Sequence, residues 1–267
     1  MKLHKWEEEI FFSTVRITIE DSHGEDLSVG TGFIMGVPIT NEKGDDKDTV
    51  VLVSCRHVFE EANKPISLKF HQAKPDKSGP QLGSTPIPLT ENFGDHYLPH
   101  PNPKIDLACI GAVGLRFRDD IFFRYVGPGI LADLTEDDIY AGKEVLFVGY
   151  PDGQYDWSHN LPIMRFGHIA TVPSVDFRGE QAFLIDAPVF EGSSGSAVFS
   201  IIDGKYRLVG VVTDTLFKED KDRSSGLNIS YRHYLHLGLV LKSTLIYELL
   251  EHLVKEQFPG FSLGVPR

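Results

Sequence analysis

Short apolar runs, each closed off by a polar turn, recur from one end of this chain to the other. They constrain its fold more than any other feature. The segment Ile10–Glu20 (IFFSTVRITIE) alternates apolar and polar side chains after an aromatic start, the period of a half-buried strand. Gly32–Val37, Thr49–Ser54, Ile66–Phe70, Ile87–Leu89 and Asp106–Ala112 follow, broken by the hydrophilic loop Asn41–Asp48 and by a long, proline-rich excursion, His71–Lys104. A second set comprises Glu144–Gly149, Arg165–Val172, Ala182–Asp186, Ser196–Ile202, Tyr206–Thr213 and Leu237–Leu241. About six short strands in each half is the pattern of an all-β barrel or sandwich.

The stretch Val113–Ala141, with Gly127-Pro128-Gly129 and an acidic run, separates the two sets. The chain is therefore expected to divide into an N-terminal unit (1–120), an interdomain connection with a C-terminal unit (121–242), and a helix with its tail (243–267). In the last segment Ser243 is the expected N-cap. Leu245, Leu249, Leu250 and Leu253 give a helical stripe, expected to pack against the second unit. The tail from Phe258, with Pro259-Gly260, is expected to fray.

A net charge of -12 speaks against a nucleic-acid surface, which needs clustered Lys and Arg. Met1–Glu9 is polar and charged, with no apolar signal region, and no run of about 18 apolar residues suggests a membrane span. The two cysteines, Cys55 and Cys109, are few for a secreted chain of this size. These features together predict a cytoplasmic protein with no nucleic-acid or membrane partner.

Three local patterns carry chemistry. Gly192-Ser193-Ser194-Gly195-Ser196-Ala197 sets a serine on a sharp, glycine-flanked turn ahead of an apolar strand. A nucleophilic hydroxyl needs such exposure, and the amides of Gly192 and Ser194 would form an oxyanion hole. In Val51-Leu52-Val53-Ser54-Cys55-Arg56-His57 a buried strand runs straight into a histidine, a rigid mounting for a general base. In Ile105-Asp106-Leu107-Ala108 a carboxylate heads an apolar strand, where it can orient an imidazole. Taken singly, each has a plainer reading: a Gly/Ser turn, a structural histidine, a loop-ending aspartate.

The chain order His57, Asp106, Ser194, each on an apolar strand, resembles the chymotrypsin-like (trypsin-like) serine protease family, particularly its bacterial, HtrA-like branch. Gly30-Thr31-Gly32-Phe33-Ile34, Gly149-Tyr150-Pro151, Phe166-Gly167-His168-Ile169, Asp186-Ala187 and Leu208-Val209-Gly210-Val211-Val212-Thr213 are similar to further strands of that family. The resemblance covers about residues 10–255. It implies two six-stranded Greek-key β-barrels with the triad in the cleft between them, followed by a C-terminal α-helix. It further implies a hydroxyl, Thr213, near the triad carboxylate. The backbone of Thr213, Asp214 and Thr215 would pair with an extended polypeptide substrate, and Pro188–Glu191 would shape the pocket for the residue before the scissile bond. No cofactor is needed.

Two residues depart from the pattern. Ser193 replaces the acid that pairs with a new N-terminus in secreted zymogens, so activation of that kind is not expected. Thr215 stands where many relatives have glycine, which should narrow the pocket in favour of small residues. With few residues after the second barrel, no PDZ domain is expected to follow. A catalytically latent or inactive module binding a peptide or dedicated partner, and an esterase on the same site, remain as alternatives. His96 with His100, and His233 with His236, lack the setting of a metal site, and none is expected.

Overall fold

The computed structural model describes residues 5–20, 26–59, 66–91, 96–222 and 229–264. Helix α1 (Lys5–Ser13) leads into β1 (Thr14–Glu20), β2 (Asp26–Asn41) and β3 (Asp46–Ser54). A single turn, α2 (Arg56–Phe59), precedes β4 (Ile66–Gln72), β5 (Ile87–Glu91), β6 (Tyr97–Pro99), β7 (Ala108–Gly111) and β8 (Ile121–Phe122). The second half supplies β9 (Glu144–Gly149), β10 (Ile163–Ile169), β11 (Ala182–Asp186), β12 (Ala197–Ile202), β13 (Lys205–Asp222) and β14 (Ile229–Lys242). Helix α3 (Ser243–Gln257) and a last strand, β15 (Phe261–Leu263), complete the chain.

These elements make the expected all-β, chymotrypsin-type architecture. The second half closes into a six-stranded barrel in the order β10-β11-β14-β13-β12-β9. The first half differs in detail. It is a nine-stranded sheet with the path β5-β4-β1-β2-β3-β7-β6, β15 lying beside β2 and β8 beside β4. It curls as a half-barrel and does not close on itself among the described residues. Strand β3 shows why apolar runs rather than strict alternation mark its core: Val50–Ser54 is buried on both faces. One cluster of buried side chains fills the first sheet and reaches the outer face of the barrel, while a second fills the barrel interior.

Three expectations are corrected. Ile10–Ser13 belongs to helix α1, not to a strand. Glu7 and Glu8 sit favourably in the first helical turn, and the hydroxyls of Ser13 and Thr14 both donate to the Ile10 carbonyl at its end. Ser243 is the first residue of α3 and not its cap, because its hydroxyl donates to the Ala132 carbonyl in the interdomain connection (2.7 Å). The tail does not fray throughout: Phe261–Leu263 pairs with Ile39–Asn41, at the end of β2 that β1 leaves uncovered.

The buried stripe of α3 packs, as expected, against β13 and β14 of the second unit. Leu245, Ile246, Leu249, Leu250, Leu253 and Val254 belong to the cluster shared with the first sheet, not to the barrel interior. The helix thus helps bind the two halves that frame the cleft. Leu249→Ala, removing a fully buried side chain, is expected to cost about 2–5 kcal/mol, read from chemical denaturation midpoints.

Candidate active site

The loop from β11 to β12 carries Ser194. Gly192 (φ 82°) and Gly195 (φ 90°) both take left-handed conformations that other residues adopt only with strain. A side chain on Gly195 would collide with the Thr31 carbonyl and the Ser54 hydroxyl, so glycine is required there. The hydrogen bonding alternates. The Ser193 amide donates to the Phe190 carbonyl (3.0 Å), Gly195 to Val212 (2.8 Å) and Ser196 to Ser193 (3.0 Å). Among the described residues the amides of Gly192 and Ser194 donate to no partner. Two unspent N–H groups beside a serine are what a developing oxyanion needs.

Thr31 locks this loop to the first sheet. Its amide donates to the Ser194 carbonyl (3.0 Å) and its hydroxyl to the Gly192 carbonyl (2.7 Å). The same hydroxyl accepts from the Tyr150 amide (3.1 Å), and the Ser54 hydroxyl donates to the Thr31 carbonyl (2.6 Å). Sequence reading missed this residue. Its setting, Gly30-Thr31-Gly32, marks only a strand.

His57 lies in α2, directly after β3, and is about half exposed. Its Nδ1 is 2.6 Å from Asp106 Oδ2, and its amide donates to Asp106 Oδ1 (3.0 Å). Asp106 sits just before β7, and its Oδ2 also accepts from the Thr213 hydroxyl (2.7 Å). Burial alone would raise the Asp106 carboxyl. The hydrogen bonds from the His57 ring, Thr213 and the His57 amide outweigh it and hold the group below the usual carboxylate range. An ionised carboxylate only accepts, so the ring proton belongs on Nδ1 and Nε2 is left as a lone-pair acceptor. Ser194 joins the same cluster, its hydroxyl donating to the Thr213 carbonyl (3.0 Å).

A family model described as a trypsin-like peptidase domain matches residues 30–211, well over half of the chain. The chain belongs to the trypsin-like peptidase family. No curated protein matches it. A peptidase domain takes polypeptide substrates, and no helix among the described residues is long and apolar enough to cross a membrane.

In this trypsin-like peptidase the remaining positions singled out in the sequence lie in the second half, Pro188 and Glu191 in the loop from β11 to β12, and Asp214 and Thr215 on β13. Pro188 is half-buried and Glu191 exposed. The exposed Asp214 accepts from the Thr215 amide (2.7 Å). The Thr215 hydroxyl bridges the β11–β12 loop and β14, donating to the Val189 carbonyl (3.0 Å) and lying 3.5 Å from that of Leu237.

Cys55, His57 and Asp106 place possible metal-ligating atoms within 4.8 Å of one another. The Cys55 thiol is fully buried and donates to the Val212 carbonyl (3.2 Å). Burial, and then the Asp106 charge, push it well up, so it stays a neutral thiol and a poor ligand. A cation here would also displace the hydrogen bonds that Asp106 already accepts. Cys109 is likewise buried, its thiol pushed up to about 12. His100 is buried with Nε2 3.5 Å from Glu248, and His233 lies 3.5 Å from Asp220.

Proposed function

We propose that this peptidase is a serine endopeptidase working through His57, Asp106 and Ser194. The observation that carries the reading is one connected cluster: His57 on Asp106, Asp106 on Thr213, and Ser194 on Thr213, beside the two unspent amides.

The Ser194 hydroxyl turns from the Thr213 carbonyl toward His57 Nε2, which takes its proton as the oxygen attacks the peptide carbonyl. The oxyanion that forms accepts from the Gly192 and Ser194 amides. His57 then gives its proton to the leaving amine, releasing it and leaving an acyl-enzyme. Water repeats the sequence with His57 as base, and the carboxylic acid product leaves. Asp106 keeps the ring in the tautomer that can accept, and Thr213 holds Asp106.

The hydroxyl's bond to Thr213 favours a second reading, a latent enzyme whose serine turns only once a substrate or partner is bound. Fluorophosphonate labelling with mass mapping separates the two. Label on Ser194 in the isolated protein supports the constitutive enzyme. A folded protein that takes label only with added polypeptide supports latency. Label on another residue overturns both.

The Thr215 bridge supports a pocket closed to large side chains. Thr215→Gly is expected to raise the kcat/KM ratio for Phe over Ala before the scissile bond by about tenfold or more, measured on paired peptides. An unchanged ratio would remove Thr215 from the pocket. The unpaired, buried Cys55 and Cys109 support a reducing compartment, and we place the protein in the cytoplasm.

A further inference from the structure

Strand β13 runs well past the barrel. Strand β12 covers it only from Lys205 to Val211, and β11 covers β14 only from Leu237 to Leu241. From Phe217 to Asp222, β13 pairs with Ile229–Tyr234 alone, so the two strands project as a ribbon. Along its other edge, from Thr213 onward, β13 has no partner strand among the described residues. A bulge aims this ribbon. The register shifts between Leu216 and Phe217, leaving Leu235 and His236 extra on β14. His236 is left-handed (φ 57°), and its carbonyl accepts from Ala187 (2.9 Å), just ahead of the loop that carries Ser194.

One face of the ribbon meets that loop. Phe217 lies opposite Tyr234, and Glu219 opposite Arg232. The Tyr234 ring packs edge-on against Phe190 (centroids 5.8 Å apart), and the Arg232 guanidinium lies over Phe217 (4.7 Å). Arg232 reaches Glu191 only loosely, at 3.9 Å. On the far side Arg165 of β10 stacks on Phe190 (5.0 Å). Arg165 is half-buried and has no carboxylate partner among the described residues. On the opposite face Asp220 is taken up by Lys218 (2.8 Å) and His233 (3.5 Å). In a chain of net charge -12, this surface beside the nucleophile is aromatic and carries two arginines, Arg165 with no carboxylate partner among the described residues and Arg232 set loosely between Glu191 and Glu219. Phe217 is 43% exposed, so the surface is open to a ligand.

We propose that the ribbon extends the substrate cleft: the polypeptide to be cleaved lies along the free edge of β13 as an added strand from Thr213 to Glu219, and carries acidic and aromatic side chains upstream of the scissile bond. The proposal rests on the serine peptidase reading of the cleft. An added antiparallel strand advances residue for residue with its template. A substrate whose residue before the scissile bond lies beside Thr213 therefore passes Phe217 with about its fifth upstream residue and Glu219 with about its seventh. Phe217, Tyr234 and Phe190 offer ring faces to aromatic side chains, and Arg165 and Arg232 take carboxylates.

The test uses internally quenched decapeptides with a common Val-Ala before the cleavage position. They differ only about four to eight residues upstream: Glu- and Phe-rich, Lys-rich, or Gly- and Ser-only. Binding is measured on Ser194→Ala, and turnover on the wild type. The Glu/Phe peptide is expected to bind about tenfold more tightly than the Gly/Ser peptide and to show a lower KM. Arg165→Glu with Arg232→Glu should invert the order in favour of the Lys peptide, while turnover of a short acyl ester stays unchanged. Equal binding of all three peptides to Ser194→Ala would overturn the ribbon proposal. Fluorophosphonate that leaves Ser194 unmarked even with added polypeptide would instead overturn the serine mechanism, with the binding series still judging the ribbon.

Discussion

Ser194→Ala is expected to leave the fold intact and to lower peptide hydrolysis by about 10⁴–10⁶-fold, toward the residual rate that binding and the amide pair alone supply. The fold should survive because the substitution removes one hydrogen bond, from the hydroxyl to the Thr213 carbonyl, and that carbonyl lies at the cleft. The loop is held by other atoms: the Ser194 carbonyl on the Thr31 amide, the Gly192 carbonyl on the Thr31 hydroxyl, and the Gly195 amide on Val212. The thermal midpoint should therefore move by little, while kcat collapses and fluorophosphonate labelling disappears. A variant that keeps wild-type turnover would move the nucleophile elsewhere. One that loses both turnover and its melting transition would show that the hydroxyl is structural.

The residues of this cluster are legible in the sequence because each sits where an apolar strand meets a polar turn, and because the three follow in the order His57, Asp106, Ser194. Thr31 is not legible. Its role depends on a loop 161 residues away, and a threonine between two glycines reads only as strand. The aromatic start at Ile10 misleads because a helix can bury Ile10 and Phe12 as well as a strand can. The ribbon escapes notice for a different reason. Every residue from Lys218 to Asp222 is charged, and such a run carries no apolar alternation to announce a strand. Its length comes from pairing with β14, which the sequence encodes only weakly. The open first sheet is hidden in the same way, since the apolar pattern of a strand is alike in closed barrels and curled sheets.

Asp106→Asn should lower kcat/KM by about 10⁴-fold at neutral pH, nearly as much as loss of the serine, without removing the nucleophile. The carboxylate accepts three hydrogen bonds: the His57 ring, the His57 amide and the Thr213 hydroxyl. An asparagine keeps one acceptor oxygen. With that oxygen on the His57 amide, its NH2 faces Nδ1 and can only donate, so Nδ1 must accept and the ring proton moves to Nε2. The base then points a proton at the serine whose proton it should take. Stability should follow a separate rule. The carboxyl is held below its ordinary value of about 3.9, so its contribution is fully present above that pH and fades as pH falls through the depressed native value. Wild type should therefore exceed Asp106→Asn in stability at neutral pH, and the gap should narrow under acid, in denaturation series from pH 7 down to about pH 2. A rate loss at neutral pH with a gap that ignores acid would assign Asp106 to tautomer control alone. A variant with near-normal kcat/KM would remove Asp106 from the mechanism.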